Sequence, residues 1–516
     1  MHHFSCTPNQ PLVQTAAGKV HGYHFDGLDI FKGIPYARAK RFHAPEPVPA
    51  WEGVLDATSY GYVCPLLDMP KPQGELLIPH RYWLMDENCQ NLNIWTPSCD
   101  SARRPVLVWL HGGGYVAGSA IEQVAYEGEN MAKCGDCVVV SINHRLNIIG
   151  YLDLSAFGEA YANSGNAGGD DIVMALRWIR DNIAAFGGDP DNVTVFGQSG
   201  GGAKVVTLLQ TPAADGLFHR GIVMSGVVDR LLDECKGSGE ACGQALLDEL
   251  GLKTVREMED VPYERLAAAY QKVKPALDAA GRNVGGRPFA NGFYLGDPML
   301  HGFRRESLSV PLLVGTVYAE FGGFFTTNDG EVIPVGEQGE QAVRQAFGEE
   351  AAKTLLPLFR KAYPHRDPSD LAAIDGRFRQ PTSKLIRARA AAGGTAYSYL
   401  FDQDFDVYGR RVPWHCSDIP FFFHNVDLVP VANIPGVADQ LQEQIFGMVM
   451  AFARTGNPEH AGIPAWPAST PEDEATMLFG ADTHLVHNHD EALMREGMPI
   501  FGAQVARKRK ERQIQH

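Results

Sequence analysis

The chain has 516 residues, of which 45% are hydrophobic and 21% charged, the balance of an ordinary soluble globular protein. A chain of this length buries enough surface to fold without a disulfide or a structural metal. Its formal net charge of −16 argues against a nucleic-acid partner, because binding to phosphates needs a dense basic surface. The basic run at 507–510 is the exception, and we interpret it as a solvated tail.

Membrane insertion and a disulfide framework are not indicated either. No apolar run approaches the roughly 20 residues that a membrane-spanning helix needs. The N-terminus lacks the basic start and apolar core of a signal peptide, so we predict a cytoplasmic protein. Nine cysteines, an odd number spread along the chain, do not resemble a secreted framework. Cys134 and Cys137 have redox-motif spacing but only precede a strand-like run, so we predict no redox role.

The hydrophobic pattern predicts strands that alternate with helices. Short apolar runs that suit strands buried on both faces cover residues 105–110, 138–142, 193–196, 221–224 and 310–314. Amphipathic patterns predict helices over 171–185, ended by the turn at 187–190, and over 440–454. This order indicates the α/β class, with a mostly parallel central sheet and helices on both faces. No linker, repeat or change of composition divides the chain, so we predict one domain over 1–516.

The strongest local motif is Gly197-Gln198-Ser199-Gly200-Gly201. It follows the strand-like run 193–196 and precedes the helix-like run 203–209. A nucleophile elbow requires this setting, because small residues must flank the serine where the strand turns sharply into a helix. The serine then projects at a helix N-terminus, which favours developing negative charge. We therefore predict Ser199 as a catalytic nucleophile. A phosphate loop is excluded, because that motif needs Ser or Thr after its lysine and Val205 follows Lys204 here.

A glycine run after the strand at 105–110 complements this motif. The sequence His111-Gly112-Gly113-Gly114-Tyr115 places glycines where side chains would block an approaching substrate. Acyl transfer creates an oxyanion, which needs fixed N–H donors. We predict the N–H groups of Gly113, Gly114 and Gly200 as these donors. Together with the elbow, the run is typical of esterases of the α/β-hydrolase fold.

A serine nucleophile needs a base and an acid, which this fold places in the order serine, acid, histidine. Ten histidines follow Ser199, and His415 lies in a loop rimmed by aromatic residues. Glu320 follows the predicted strand at 310–314 by a few residues, where the acid is expected. The competing acids, which we interpret as a solvated surface turn, are Asp402, Asp404 and Asp406. A cluster of three histidines near the C-terminus suggests a metal site, but no nearby cysteine or carboxylate pattern completes it, so we predict none. These residues are His484, His487 and His489.

These motifs, taken together, resemble the type-B carboxylesterase family, which includes bacterial para-nitrobenzyl-type esterases, animal carboxylesterases and cholinesterases. The similarity runs nearly end to end. The segments that carry it are 31–37, 87–95, 182–190, 315–320, 415–425 and 452–458. The resemblance implies an α/β-hydrolase fold with long excursions around an active-site gorge, a Ser199–Glu320–His415 triad, and no metal or organic cofactor. It also implies that Ser225 supports the triad, although a strand-end serine can instead bond to backbone.

Some residues depart from the family pattern. Ala319 and Phe321 flank the acid where the family usually has Asp and Gly. Gln198 stands before the serine, where the family often has glutamate, and the family's choline-binding tryptophan has no clear counterpart ahead of Cys89. A cationic choline substrate is therefore not expected. By the resemblance, the cysteines that secreted relatives pair are Cys64 with Cys89 and, more loosely, Cys235 with Cys242. Without a signal peptide we expect both pairs to be reduced.

The sequence thus predicts a carboxylic-ester hydrolase that acts through a serine acyl-enzyme. The family likeness, and the absence of a long apolar lid helix between Phe4 and Trp83, favour short-chain or small aryl and alkyl esters. An amide, thioester or carbamate hydrolase would use the same machinery and stays open. A non-catalytic adhesion module of the same fold is the alternative from another class, disfavoured because all three triad residues are present. The sequence does not determine the physiological substrate or the oligomeric state.

Overall fold

A computed structural model of the chain describes residues 3–7, 10–68, 77–229, 237–321, 334–405 and 412–501. Two compact units emerge from the contacts within the chain. Unit 1 comprises 1–75, 79–222 and 232–310, and unit 2 comprises 76–78, 223–231 and 311–516. The basic run at 507–510, Cys235 and Asp406 lie outside the described residues. The single domain over 1–516 stays a prediction.

Unit 1 is built on a mixed sheet. Its described strands are β1 (Phe4–Ser5), β2 (Leu12–Gln14), β3 (Lys19–His21), β4 (Tyr23–Phe25), β5 (Leu28–Pro35), β6 (Ala37–Arg38), β7 (Glu46–Pro47), β8 (Val54–Asp56), β9 (Asn91–Thr96), β10 (Arg104–Leu110), β11 (Val138–Ile142) and β12 (Gly188–Gln198). The main sheet of the unit has the order β1-β4-β5-β9-β11-β10-β12. Smaller sheets are β2-β3-β8 and β6-β7. The boundary between the two units falls within β13 (Arg220–Met224).

Strand β10 lies at the parallel centre of unit 1. It pairs in parallel with β11, from Val106 opposite Val138, and with β12, up to Leu110 opposite Gly197. Strand β9 is antiparallel to both β11 and β5. All five residues of β11 are buried, as expected for a strand covered on both faces. The strand predictions at 105–110, 138–142 and 193–196 are confirmed, although β12 begins earlier and ends later than predicted.

Helices fill the intervals between these strands. The helices of unit 1 are α1 (Glu129–Gly135), α2 (Asn147–Tyr151), α3 (Ala167–Asn182), α4 (Gly200–Leu209), α5 (Glu240–Leu250), α6 (Val255–Glu259), α7 (Tyr263–Ala279), α8 (Pro298–His301) and α9 (Arg305–Leu308). Helix α3 begins four residues before the predicted 171. Its first turn contains Gly168, where a Cβ would overlap the carbonyl oxygen of Arg145. Close backbone packing therefore overrides the poor helix propensity of glycine, and Gly187, with φ 81°, ends the following 3₁₀ turn.

Unit 2 has its own strands, which are mostly parallel to one another. They are β14 (Leu312–Val317), β15 (Ala396–Phe401), β16 (Ala475–Phe479) and β17 (His484–His487). Strands β14, β15 and β16 pair in parallel, and β17 is antiparallel to β16. The predicted strand at 310–314 is displaced to Leu312–Val317, because Pro311 has no N–H to donate to the ladder. Helices of the unit are α10 (Gly336–Phe347), α11 (Glu349–Ala362), α12 (Arg379–Ala391), α13 (Ile419–Phe422), α14 (Ala438–Thr455) and the segment 491–501.

The aspartates after β15 correct one prediction. Asp402 is buried, not part of a solvated turn: its Oδ1 lies 2.6 Å from Nη2 of Arg366, whose side chain is 0% exposed. Asp404 is half-exposed and lies 2.7 Å from Nη1 of the same arginine. An aspartate-rich run suggests a solvated surface, but a buried guanidinium 36 residues away in sequence requires carboxylates close to it.

The cysteines that the structure describes are free thiols. Within the described ranges, no helix has the length and apolar character to cross a membrane. Cys64, Cys89 and Cys242 are buried free thiols. Cys134 is an exposed thiol, whereas the Cys137 thiol is buried and donates to the Met131 carbonyl oxygen at 3.3 Å.

A buried ion pair ties α3 to the segment after β11 in unit 1. Arg145 Nη2 lies 2.7 Å from Asp171 Oδ1, and Arg145 Nε lies 2.9 Å from Asp171 Oδ2. The backbone N–H of Arg145 also donates to Oδ2 at 2.9 Å. Both side chains are at most 1% exposed, so each charge depends on the other for the solvation it has lost.

We expect Asp171→Asn to lower the free energy of unfolding by about 3–5 kcal/mol, because it leaves the Arg145 guanidinium buried without a counter-charge. Urea denaturation followed by circular dichroism measures this change. The control is Asp181→Asn, which removes the partner of Arg180 in a pair more than half exposed and should cost about 1 kcal/mol or less. Equal effects of the two variants would contradict the prediction.

Candidate active site

Ser199 lies on a sharp turn between β12 and α4. Strand β12 ends at Gln198 and helix α4 begins at Gly200, which leaves Ser199 alone between them. Its backbone has φ 57° and ψ −122°, a conformation that costs a residue with a Cβ about 1–3 kcal/mol. Such strain persists only where the surroundings hold it, and it concentrates at functional sites. Ser199 is partly exposed, whereas Gln198 before it and Gly200 after it are buried.

Glycines make this turn possible. A Cβ on Gly197 would lie 2.5 Å from the carbonyl carbon of Gly201, and a Cβ on Gly201 would overlap the carbonyl oxygen of Leu110. Both contacts are with backbone atoms, which cannot rotate away. The elbow therefore needs glycine at these two positions, so that α4 can pack against the end of β10.

The glycine loop after β10 lies against the same turn. Gly113 and Gly114 have φ 81° and 64°, which suits glycine. A Cβ on Gly112 would lie 3.6 Å from the Ser199 Cβ, and a Cβ on Gly200 would overlap the backbone nitrogen of Gly114. The structure therefore brings together, within unit 1, the predicted nucleophile and the three predicted oxyanion donors.

Unit 2 holds the predicted acid and base. His415 Nδ1 lies 2.5 Å from Glu320 Oε2. The other carboxylate oxygen accepts two hydrogen bonds, from the Ser225 hydroxyl at 2.5 Å and from the Val317 backbone N–H at 2.8 Å. Of the two roles open to Ser225, the structure shows the hydroxyl bonded to the carboxylate. These contacts fix both carboxylate oxygens of Glu320.

The backbone also connects these residues. The His415 N–H donates to the Glu320 carbonyl at 3.0 Å, and the Ser225 N–H donates to the Gly315 carbonyl at 2.8 Å. Ser225 directly follows β13, and Glu320 lies three residues after β14. Their φ values of 46° and 38° are in the left-handed region, which strains residues that have a Cβ. Cys416, directly after the histidine, has φ 79°. The loops after β13, β14 and β15 are thus held in one arrangement.

Burial dominates the electrostatics of this pair. Burial raises the pKa of Glu320, although the Ser225 and Val317 donors oppose that shift. Burial lowers the pKa of His415 to about 4. The lowered pKa keeps the imidazole neutral at pH 7, and a neutral imidazole that donates its Nδ1–H to Glu320 presents an unprotonated Nε2. A neutral imidazole with a free nitrogen can act as a general base.

Several neighbours of this pair were not predicted from the sequence. The Phe321 ring lies 4.3 Å from the His415 ring, and Phe378 stacks on it at 5.3 Å and 14°. Two further buried carboxylates, Asp375 and Asp418, have pKa values raised to about 7 by burial and by the charge of Glu320. Phe321 carried a signal, since it departs from the family pattern, and Asp418 lies within the histidine loop segment. No sequence signal connected Asp375 and Phe378, about 40 residues upstream, to this loop.

The histidines near the C-terminus have separate partners. His484 Nδ1 lies 3.0 Å from the Asp482 carbonyl oxygen, and His487 Nδ1 lies 2.8 Å from Asp473 Oδ2. The His489 ring packs edge-on against Tyr363. In the part of the chain that the structure describes, no three His, Cys, Asp or Glu side chains are grouped to hold a metal ion.

The chain is similar over nearly its whole length to known hydrolases. A family profile described as "Carboxylesterase family" matches residues 9–495. The chain is similar to a para-nitrobenzyl esterase of Bacillus subtilis, with 33% identity over 95% of this chain and 99% of the relative. It is also similar to a phenmedipham hydrolase of Pseudarthrobacter oxydans, with 32% identity over 91% of this chain and 95% of the relative.

A solved structure gives a stronger match. An esterase of the anaerobe Clostridium hathewayi, which can hydrolyse aliphatic aromatic polyesters, superposes with a TM-score of 0.93. It is 50% identical, and the match covers 97% of this chain and 100% of that one. The α/β-hydrolase fold class predicted from the sequence is therefore confirmed. The chain belongs to the carboxylesterase family and is a carboxylic-ester hydrolase.

Proposed function

We propose that the protein hydrolyses esters through an acyl-enzyme on Ser199, with His415 as the base and Glu320 as the supporting acid. The observation that carries this proposal is the strained Ser199 beside the backbone of Gly113, Gly114 and Gly200. A hydroxyl next to fixed N–H groups can attack a carbonyl whose oxygen those groups then bind. Membership of the carboxylesterase family supports the same assignment.

In the first step, the Ser199 hydroxyl attacks the ester carbonyl carbon while its proton passes to Nε2 of His415. Glu320 accepts the hydrogen bond of Nδ1 and stabilises the imidazolium. The carbonyl oxygen takes up the negative charge and is bound by the N–H groups of Gly113, Gly114 and Gly200. When the tetrahedral intermediate collapses, the C–O bond breaks and the imidazolium gives its proton to the leaving alcohol.

The second step repeats this sequence with water. His415 takes a proton from the water as its oxygen attacks the acyl carbon, and the same N–H groups bind the oxyanion again. Collapse of this intermediate breaks the bond to the Ser199 oxygen, which recovers its proton from the imidazolium. The carboxylic acid leaves and the enzyme returns to its initial state.

For the substrate, we propose short-chain or small aryl and alkyl esters. The Bacillus relative is named for a para-nitrobenzyl ester activity, and the Clostridium relative can hydrolyse aliphatic aromatic polyesters. Both names indicate acceptance of an aromatic group on at least one side of the bond. This proposal extends those activities to the present chain.

We expect Ser199→Ala to lower kcat on a short-chain ester by about 10⁴-fold or more, because only oxyanion binding remains. Stopped-assay hydrolysis of para-nitrophenyl acetate measures the loss, and circular dichroism checks that the fold is retained. A fluorophosphonate should label the wild-type protein on one serine. Wild-type turnover in the variant, or an adduct found by mass spectrometry on a different serine, would contradict the assignment.

We expect Glu320→Gln to lower kcat by roughly 10⁴-fold, because the amide keeps the shape but no longer holds Nδ1–H or balances the imidazolium. The matched control is Glu350→Gln, whose side chain is 88% exposed, and this variant should keep wild-type turnover. Asp404 is less suitable as a control because it pairs with buried Arg366.

Asp418→Asn gives the discriminating outcome for the same assay. If Glu320→Gln stays within a few-fold of wild type while Asp418→Asn loses activity, the acid is the carboxylate that contacts the Tyr399 hydroxyl at 2.9 Å. The proposed triad would then be wrong in that member.

We expect kcat/KM to be higher for para-nitrophenyl acetate and butyrate than for the palmitate ester, because the described residues between Phe4 and Trp83 form no long apolar lid helix that could cover a long acyl chain. A hydrolysis series from acetate to palmitate, with matched anilides for amide cleavage, measures this order. Faster turnover of palmitate, with activation at a lipid interface, would indicate a lipase instead.

A further inference from the structure

Lys204 is a buried cation directly behind the glycine loop. It lies on α4, five residues after Ser199, and is only 1% exposed. Its Nζ donates to the carbonyl oxygen of His111 at 3.0 Å. That carbonyl belongs to the peptide that leads into Gly112 and the two glycines proposed to bind the oxyanion. The ammonium is thus connected to the loop through one hydrogen bond.

Imidazole and aromatic rings lie near this ammonium. The rings of His111 and His144 meet edge-to-face at 4.8 Å, and the Tyr115 ring lies 5.7 Å from Nζ. Neither ring nitrogen of His144 has a hydrogen-bond partner within the described residues. Burial lowers the pKa of both histidines well below the usual range, and the charge of Lys204 lowers both further. Both imidazoles are therefore neutral at pH 7.

Among the described residues, no carboxylate oxygen forms an ion pair or hydrogen bond with the Lys204 ammonium. Glu122 is the acid that acts on it from a distance, and its oxygens lie near the Ser119 N–H and His80 Nε2. Arg145 also lowers the pKa of His144, although its guanidinium is paired with Asp171. An ammonium in such a place is expensive to bury, and an apolar side chain of similar length would be as stable or more so. Its presence calls for a role other than stability.

We propose that Lys204 is a positioning residue of the oxyanion loop: its ammonium holds the His111 carbonyl and adds positive charge behind the N–H groups of Gly113 and Gly114. This inference rests on the proposed function of that loop. Negative charge forms on the substrate oxygen only in the tetrahedral intermediate. A fixed cation on the protein side of the loop therefore stabilises the transition state more than the bound ester.

The role has a pH dependence with a defined sign. Burial lowers the pKa of Lys204 to about 7. The ammonium is present below that pH, and its contribution is lost as pH rises through it. His415 works in the opposite sense, since it must be neutral and its pKa is lowered. We therefore expect kcat/KM to rise as His415 loses its proton in the acid range and to fall near neutral pH as Lys204 loses its proton.

The test compares Lys204→Met with wild type on para-nitrophenyl acetate. Removal of one oxyanion donor costs about 10²–10³ in kcat, so a charge that acts through a neighbouring peptide should cost on the order of tenfold. We expect KM to stay within about twofold and the fall of kcat/KM near neutral pH to disappear. The matched control is Lys272→Met, which removes the same charge from a side chain 69% exposed and should leave both unchanged.

Inhibitor binding separates this role from a structural one. An alkyl trifluoromethyl ketone forms an oxyanion adduct with a serine, whereas the matched methyl ketone binds without forming it. Lys204→Met should weaken trifluoromethyl ketone binding about tenfold and leave methyl ketone binding unchanged. Equal affinities for the trifluoromethyl ketone, with wild-type kcat and an unchanged pH profile, would overturn the inference.

Two further measurements cover the case in which Lys204→Met does not fold and the case in which the proposed function itself is wrong. If Lys204→Met does not fold, the wild-type affinity for the trifluoromethyl ketone is measured between about pH 6 and about pH 8.5, where we expect a decrease and where a flat profile would overturn the inference. Ser199→Ala is assayed in parallel. Activity in Ser199→Ala contradicts the proposed function itself, whereas an inactive Ser199→Ala beside an unaffected Lys204→Met contradicts only the role of Lys204.

Discussion

A carboxylate removed from water must be surrounded by donors, and Glu320 meets this requirement with three of them. They are the Ser225 hydroxyl, the Val317 N–H and the His415 imidazole. The donors come from the ends of different strands or from the loop beyond them, so satisfying one carboxylate fixes three chain segments. The positive φ values of Ser225 and Glu320 are the local cost of bringing these side chains together. Orientation of the imidazole follows from this arrangement.

In unit 1 the corresponding constraint is steric. The end of β10 and the start of α4 approach so closely that a Cβ on Gly201 would overlap the Leu110 carbonyl. This close approach brings the glycine loop beside Ser199, so that backbone N–H groups are the proposed donors to the oxyanion. Backbone N–H groups are held by the chain on both sides and need little reorganisation when charge develops. Small residues are thus a condition of the chemistry as well as of the packing.

Features that depend on neighbouring residues could be predicted from the sequence, whereas features that depend on contacts between distant segments could not. The elbow at Ser199 was predictable because its glycines answer a local backbone requirement. The burial of Asp402 was not, because it depends on Arg366 in a distant segment. Phe321 appeared as a departure from the family pattern, but its contact with the His415 ring follows only from the fold. Lys204 appeared in the sequence only as a reason to exclude a phosphate loop.

Buried ionisable groups in each unit are suited to stabilise the opposite charge that the proposed reaction creates there. Two other buried cations have carboxylate partners: Arg145 contacts Asp171, and Arg379 contacts both Glu474 and Asp490. Lys204 instead donates to a carbonyl of the loop proposed to bind the oxyanion. In unit 2, buried carboxyl groups whose pKa values are raised by burial lie near the imidazole that becomes positive. A cation whose partner charge exists only in the transition state contributes to the rate, because its stabilising interaction is absent from the ground state.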